Sequence, residues 1–142
     1  MTIDDRLLAF LGRRRSAHLG TADAAGVPHV VPVCFAADAA RAYILIDHKP
    51  KRGDPRRVRR LANIAANPEV CLTADHYEDD WRRLAWVMLR GRACILETGR
   101  EHTHGLELLR RRYPQYRGID GEGRPMIVVD VARAVSWGDL SV

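Results

Sequence analysis

The sequence predicts an α+β protein that is mainly β: a small, partly open antiparallel barrel of six strands with helices at its ends. Short apolar stretches with a two-residue alternation recur along the chain, and turn residues separate most of them. Three segments of helical periodicity interrupt the strands at irregular intervals. There is no regular strand–helix alternation, which disfavours a doubly wound parallel sheet. At 142 residues the chain is long enough for one core and short for two, so residues 1–142 read as one domain.

The first helix is expected over residues 4–14, where Ile3, Leu7, Phe10 and Leu11 share a face and Thr2 with Asp5 stands at capping-box spacing. HLGTADAAGVPHVVPVCFAAD reads as a hairpin turning at Ala24-Ala25-Gly26, its second strand running through Val33, Cys34 and Phe35. Pro28 and Pro32 each remove a ladder donor, which marks an edge, a bulge or a bend. ARAYILIDH is a third strand, with Tyr43, Leu45 and Asp47 on one side and Ile44, Ile46 and His48 on the other.

Asp54-Pro55 is a helix start in which Asp caps and Pro pre-sets the first turn. Val58, Leu61, Ala62 and Ala65 supply that helix's apolar face, and Asn67-Pro68 stops it. EVCLTADHY and RLAWVMLRGRACILE are further strands, the second broken near Gly91. Thr98 and Glu101 suggest a cap for a helix lined by Leu106, Leu109 and Tyr113 and ended by Pro114. A glycine-rich loop over residues 119–125 leads to the last strand, MIVVDVARAVSW.

An apolar fraction of 46% argues for a folded chain. Its longest apolar runs fall far short of a membrane span, so no membrane partner is expected. The N-terminal residues MTIDDRLLAF carry acids where an export signal carries Lys or Arg. Cys34, Cys71 and Cys94 form no CxxC pair and read as buried, reduced thiols, Cys34 as core packing. A cytoplasmic protein is expected. A net charge of +5 favours anionic partners without naming one.

Catalytic motifs are sparse. His102 and His104 would lie about 200° apart on a helix, which suits a solvated helix start better than a shared metal. No GxSxG elbow surrounds a serine, and Glu78, Asp79 and Asp80 read as a solvated turn. The concentrated feature is IDHKPKRGDPRRVRRLANI, residues 46–64, with seven Lys or Arg between Lys49 and Arg60. Part of this is a solvated helix face. Nucleic-acid binding would want aromatic platforms beside the charge, and none occurs between Lys49 and Ile64. Cations at a strand end, shortly before a helix start, suit a phosphate, though not in the ATP or GTP phosphate-loop manner.

Five segments together are distinctive: PHVVPVCF (28–35), IDHKPKR (46–52), RLANIAANPEVCL (60–72), DHYEDDW (75–81) and VSWGD (135–139). The ordered set resembles the split β-barrel flavin and deazaflavin oxidoreductases related to pyridoxamine 5′-phosphate oxidase, over nearly the whole chain. Within them it is most similar to the actinobacterial branch described as F-420-dependent.

The resemblance implies a homodimer with a cofactor site in each cleft between subunits. Pro32, Val33 and Cys34, together with Ile46, Asp47 and His48, would flank the tricyclic ring. Lys49 and Lys51, helped by Arg52 and Arg57, would hold the cofactor's phosphate. Trp81, in the DHYEDDW segment, and Trp137 would sit near the cleft. The implied activity is hydride transfer from coenzyme F-420 to a small organic acceptor. An FMN-dependent relative and a non-catalytic deazaflavin-binding protein are the alternatives, and a basic nucleic-acid-binding module is a reading of a different class. Seven cations exceed what one phosphate needs, whereas F-420 carries a phosphodiester and an oligoglutamate tail. Residues 118–125 and 77–83 are the loops expected to contribute acceptor contacts.

Overall fold

The computed structural model describes residues 2–46 and 58–142. Helix α1 (Asp5–Arg13) begins where the Asp4 carboxylate accepts the Leu7 amide at 3.0 Å, so Asp4 is the cap and Thr2 with Asp5 is not. Its apolar stripe buries Leu7, Phe10 and Leu11, with Ile3 just ahead of the helix. Strands β1 (Ala17–Ala22) and β2 (Pro28–Val33) form the expected hairpin. In its turn Asp23 accepts from the Ala25 and Val27 amides, and Gly26 takes the left-handed conformation at φ 84°.

The chain leaves β2 at Val33 and does not continue as strand through Phe35, as the sequence suggests. It resumes as the two-residue strand β3 (Ala36–Ala37), which pairs with β4 (Arg41–Leu45). This short strand makes seven among the described residues where six are expected. The remaining strands are β5 (Glu69–His76), β6 (Ala85–Leu96) and β7 (Met126–Gly138). Helices α2 (Arg59–Ala66) and α3 (Arg100–Arg112) lie between them in sequence.

All seven strands belong to one sheet, ordered β2-β1-β5-β6-β7-β4-β3, and every neighbouring pair is antiparallel. β2 is an edge strand, the place its two prolines predict. The register of β6 against β7 slips between Arg90 and Gly91. A methyl group at Gly91 would overlap the Asp130 carbonyl oxygen, so only glycine fits this bulge, which bends the long strand.

Alternation along β4 and β7 feeds two cores. Ala42, Ile44, Ile127 and Val129 point into the barrel with Leu19, Phe35, Leu72, Val87 and Leu89, while α1 and α2 contribute Phe10, Leu11, Leu61 and Ile64. Tyr43, Leu45, Met126 and Val128 face the other way and are covered by Leu106 and Leu109 of α3 and by Tyr113 and Tyr116. Full burial of side chains this size contributes about 1.5–3 kcal/mol each.

Several local expectations change. Helix α2 has Val58 at its N-cap and buries Leu61, Asn63 and Ile64, leaving Ala62 and Ala65 exposed; Asp54 and Pro55 lie outside the described residues. Asn63 is tolerated inside because its amide donates to Thr21 Oγ1 at 3.0 Å. Helix α3 starts at Gly99 with φ 104° and no side-chain cap, so Thr98 and Glu101 do not form a capping box. Glu101 instead accepts from the Tyr43 hydroxyl and from Arg41. His102 is buried and bonds the Arg124 carbonyl at 2.8 Å, so this helix start is not simply solvated. Of the cysteines, Cys34 and Cys71 are half-buried and Cys94 is exposed, so none is fully buried, although Cys34 packs against the outer core.

Around Tyr43 a polar cluster ties α3 to the β3–β4 turn. Asp38 accepts from the Ala40 and Arg41 amides and from His104 Nε2 at 3.0 Å, and lies 3.1 Å from the Tyr43 hydroxyl, whose one proton goes to Glu101 at the shorter distance. Burial pushes the Tyr43 phenol well up, and its bond to Glu101 adds to this, so it stays a donor. Burial also acts to raise the Asp38 carboxyl, but the hydrogen bonds it accepts outweigh that and hold it below the usual aspartate value. A depressed carboxyl stabilises the fold above its unfolded pKa of about 4. That contribution is lost as pH falls through the lower folded value. Asp38→Asn is expected to lower Tm at pH 7, by about 2–4 °C per kcal/mol lost. The gap to the wild type should narrow as pH falls below the unfolded value of about 4; melts followed by circular dichroism across the acid range check this.

Gly105 lies under the same tyrosine, where an added Cβ would stand 2.5 Å from Tyr43 Cδ1. Alanine improves helix propensity by about 1 kcal/mol, but overpacking a rigid core costs about 1–3 kcal/mol. Gly105→Ala should therefore destabilise the protein despite its better propensity, a result readable as a lower urea midpoint.

Candidate cofactor cleft at the barrel seam

An open sheet has two ends, and here they approach each other. Pro32 and Val33 from edge strand β2 line the same cavity as Ile44 and Leu45 from β4, which lies beside the opposite edge. The sheet is thus curled into a barrel whose seam stays open at this point. The cavity measures about 310 Å³, and Ser16, Cys34, Arg60 and Tyr116 complete its wall. Ligand sites start at about this size and are mostly apolar with a few polar groups.

At the seam the Tyr113 hydroxyl bonds the backbone. Cys34 and Phe35 lie between β2 and β3. Tyr113 Oη accepts from the Phe35 amide at 3.1 Å and stands within 3.1 Å of the Phe35 carbonyl and 3.0 Å of the Arg15 carbonyl, either of which can take its proton. Phe35 is fully buried beneath the Arg112 guanidinium, 4.6 Å from the ring centroid.

The structure brings Pro32, Val33 and Cys34 into the cleft. Ile46 is only 1% exposed, packs in the barrel core and donates its amide to the Pro125 carbonyl; its neighbours Ile44 and Leu45 line the cavity instead. Asp47, His48, Lys49, Lys51, Arg52 and Arg57 lie outside the described residues. That segment runs from Ile46, next to the lining residue Leu45, to Val58, two residues before Arg60.

Sequence reasoning missed Ser16, Ile44, Leu45, Arg60 and Tyr116 as cleft residues. Tyr116 had no helical or strand periodicity to announce it, because it sits in a 3₁₀ turn, Pro114–Gly118, that folds back after α3. Arg60 was legible only as one more member of the basic run. Its place on the first turn of α2 separates it from the others.

Trp81 and Trp137 are elsewhere on the chain. Glu78 accepts from Arg83 and pairs with His76 Nε2 at 2.6 Å, while Asp80 caps the 3₁₀ turn Trp81–Arg83 and binds Arg82. The His76 bond, with Arg83 adding to it, holds the Glu78 carboxyl below its usual range. These contacts leave Tyr77 and Trp81 side by side and 64% and 70% exposed, with Trp81 Nε1 donating to Tyr77 Oη at 3.4 Å. Trp137, 53% exposed, pairs across β6–β7 with Trp86 and shares a small hollow with Tyr77. Neither tryptophan lines the seam cleft of its own chain. Among the described residues no group of three His, Cys, Asp or Glu is placed to hold a metal, and no helix is long and apolar enough to cross a membrane.

Residues 3–138 match the pyridoxamine 5′-phosphate oxidase family. No curated protein matches the chain. Among solved structures it is similar to the conserved hypothetical protein Rv2991 of Mycobacterium tuberculosis, with TM-score 0.75 and 18% identity over 97% of this chain and 86% of that one. It is also similar to an FAD-binding protein of Mesorhizobium loti (TM-score 0.67, 20% identity, 96% and 95% covered). A third likeness is to HutZ, the heme storage protein of Vibrio cholerae (TM-score 0.69, 16% identity, 97% and 95% covered). At such identities these structures establish a shared fold and nothing more specific. The match along almost the whole sequence decides the affiliation, and the chain belongs to the pyridoxamine 5′-phosphate oxidase family.

Proposed function

We propose that this protein is a cytoplasmic oxidoreductase that holds a flavin-type cofactor, coenzyme F-420, at the barrel seam and serves a small organic hydride acceptor. One observation carries the reading: Pro32, Val33 and Cys34 converge with Ile44 and Leu45 on a single apolar cleft, beside the point where the basic segment begins. The donor set fits a flat conjugated ring, with aliphatic strand residues, the buried Tyr116 ring and one guanidinium, Arg60, among its walls. At about 310 Å³ the cleft suits the ring alone, so the charged remainder of the cofactor would extend along the basic segment.

When bound, a deazaflavin supplies two-electron hydride chemistry, because carbon replaces the central reactive nitrogen of the ring. The chain's own part is to bind, orient and exclude water. Val33, Leu45 and Tyr116 would provide the dry wall, while Lys49 and Lys51, with Arg52 and Arg57, would neutralise the phosphate. Membership of the family supports a flavin-type group in general. The preference for F-420 over FMN rests on the seven cations between Lys49 and Arg60, more than one phosphate requires.

F-420 is therefore expected to bind more tightly than FMN in a fluorescence or calorimetric titration, and the reverse order would replace it with FMN. Lys51→Ala should weaken F-420 binding about tenfold or more, the cost of one charge-assisted bond, with Tm unchanged. Turnover with candidate acceptors separates an enzyme from a carrier of the same cofactor.

The reading includes a homodimer that completes the cleft. Tyr77, Trp81 and Trp137 expose large aromatic surfaces on one chain, and such residues are enriched at the centres of interfaces. Sedimentation should give a dimer at micromolar concentration, with Trp81→Ala shifted toward monomer and weaker in cofactor binding. A monomeric wild type that binds F-420 at full stoichiometry would rule out the shared site.

A further inference from the structure

A second cavity adjoins the seam cleft. It measures about 380 Å³ and is lined by Arg15, Cys34, Tyr113, Gln115 and Tyr116. Cys34 and Tyr116 are walls of both spaces, so a molecule in the second cavity would lie against whatever fills the first. The larger hollow between α1 and the C-terminal turn, about 470 Å³, shares no lining residue with the cleft. Neither do the hollows at His29 and at Trp137.

The lining chemistry is selective. Neither adjoining cavity has a carboxylate in its wall. Arg15 is exposed; its guanidinium sits 4.8 Å from the Tyr113 ring centroid, and Nη2 donates to the Arg112 carbonyl at 3.2 Å. No carboxylate among the described residues pairs with it. An arginine has five N–H donors in a planar fork, so stacking and one backbone bond hold it in place while leaving donors for a carboxylate. Tyr113 and Tyr116, with ring centroids 5.5 Å apart, form an aromatic wall, and Gln115 adds an amide beside them.

We propose that this cavity is the acceptor subsite, and that it takes a small conjugated carboxylate whose acid group pairs with Arg15 and whose unsaturated part lies along the tyrosine wall toward Cys34. This rests on reading the adjoining cleft as the ring site. It also moves the acceptor contacts away from residues 118–125 and 77–83, where loop position alone would put them, to the chain ahead of β1 and the turn after α3.

The test uses sodium cinnamate as probe and cinnamamide as its uncharged counterpart, each titrated calorimetrically into the full-length protein with and without saturating F-420. Wild type should bind cinnamate, and Arg15→Gln should weaken it about tenfold or more. Cinnamamide should bind both proteins alike, and F-420 affinity should be the same in both. Equal cinnamate affinity in wild type and Arg15→Gln, at equal Tm, overturns the subsite. So does displacement of cinnamate by F-420, which would put the probe in the ring cleft. Should Arg15→Gln fail to fold, Arg15→Lys is titrated in its place. It keeps the charge without the fork, and an undiminished preference for cinnamate over cinnamamide overturns the bidentate pairing. Arg15-dependent cinnamate binding in a protein that binds neither F-420 nor FMN sinks the cofactor reading while the anion site stands.

Discussion

A sheet curled into a barrel must either close or leave two edges facing each other, and this one stays open where the chain passes from β2 to β3. There the backbone of Phe35 is buried, and no strand accompanies it. Buried amides and carbonyls without partners cost on the order of 1–3 kcal/mol each. The Tyr113 hydroxyl takes the place of the missing strand: it accepts from the Phe35 amide and lies within reach of the carbonyls of Phe35 and Arg15. One side chain from the end of α3 therefore joins the barrel seam, the segment before β1 and the outer core. The cleft beside it exists because a tyrosine, not a strand, closes this part of the barrel.

That arrangement explains why α3 is integral and not an ornament on the barrel surface. Its apolar face covers Tyr43, Leu45, Met126 and Val128, the outward side of the strands whose inward side fills the barrel. A shift of α3 would be felt at the seam through Tyr113 and at the β3–β4 turn through the Asp38–Tyr43–His104 cluster. The Gly91 bulge bends the longest strands, and the two sheet ends are brought together across the cleft.

The fold was legible in the sequence wherever one rule dominated. Two-residue alternation located the long strands, and prolines at 28 and 32 marked the edge. The two sides read for residues 43–48 correspond, over residues 43–46, to the two cores, which the sequence reading did not foresee. The misreadings came where tertiary contacts overrode a local pattern. Glu101 stands at capping-box spacing from Thr98, but a buried phenol and Arg41 compete for its carboxylate. Cys34-Phe35 continues the composition of a strand, yet the Phe35 backbone is taken over by a residue 78 positions away. The same is true of the cleft: its β2 wall could be read from one contiguous motif, whereas Arg60, Ser16 and Tyr116 come together only once α2, β1 and α3 have packed.

Pro28 and Pro32 have a consequence beyond marking the edge. Both sit in the ladder that pairs β2 with β1, so the amides they lack are ones that would point outward. Over those five residues only Val30 still offers an outward N–H, and its side chain is 64% exposed to water. An exposed strand with one donor left is a poor template for another chain. The barrel can therefore leave its seam open without that edge recruiting a stray strand, and any partner along it must be recognised through side chains and not by extending the sheet.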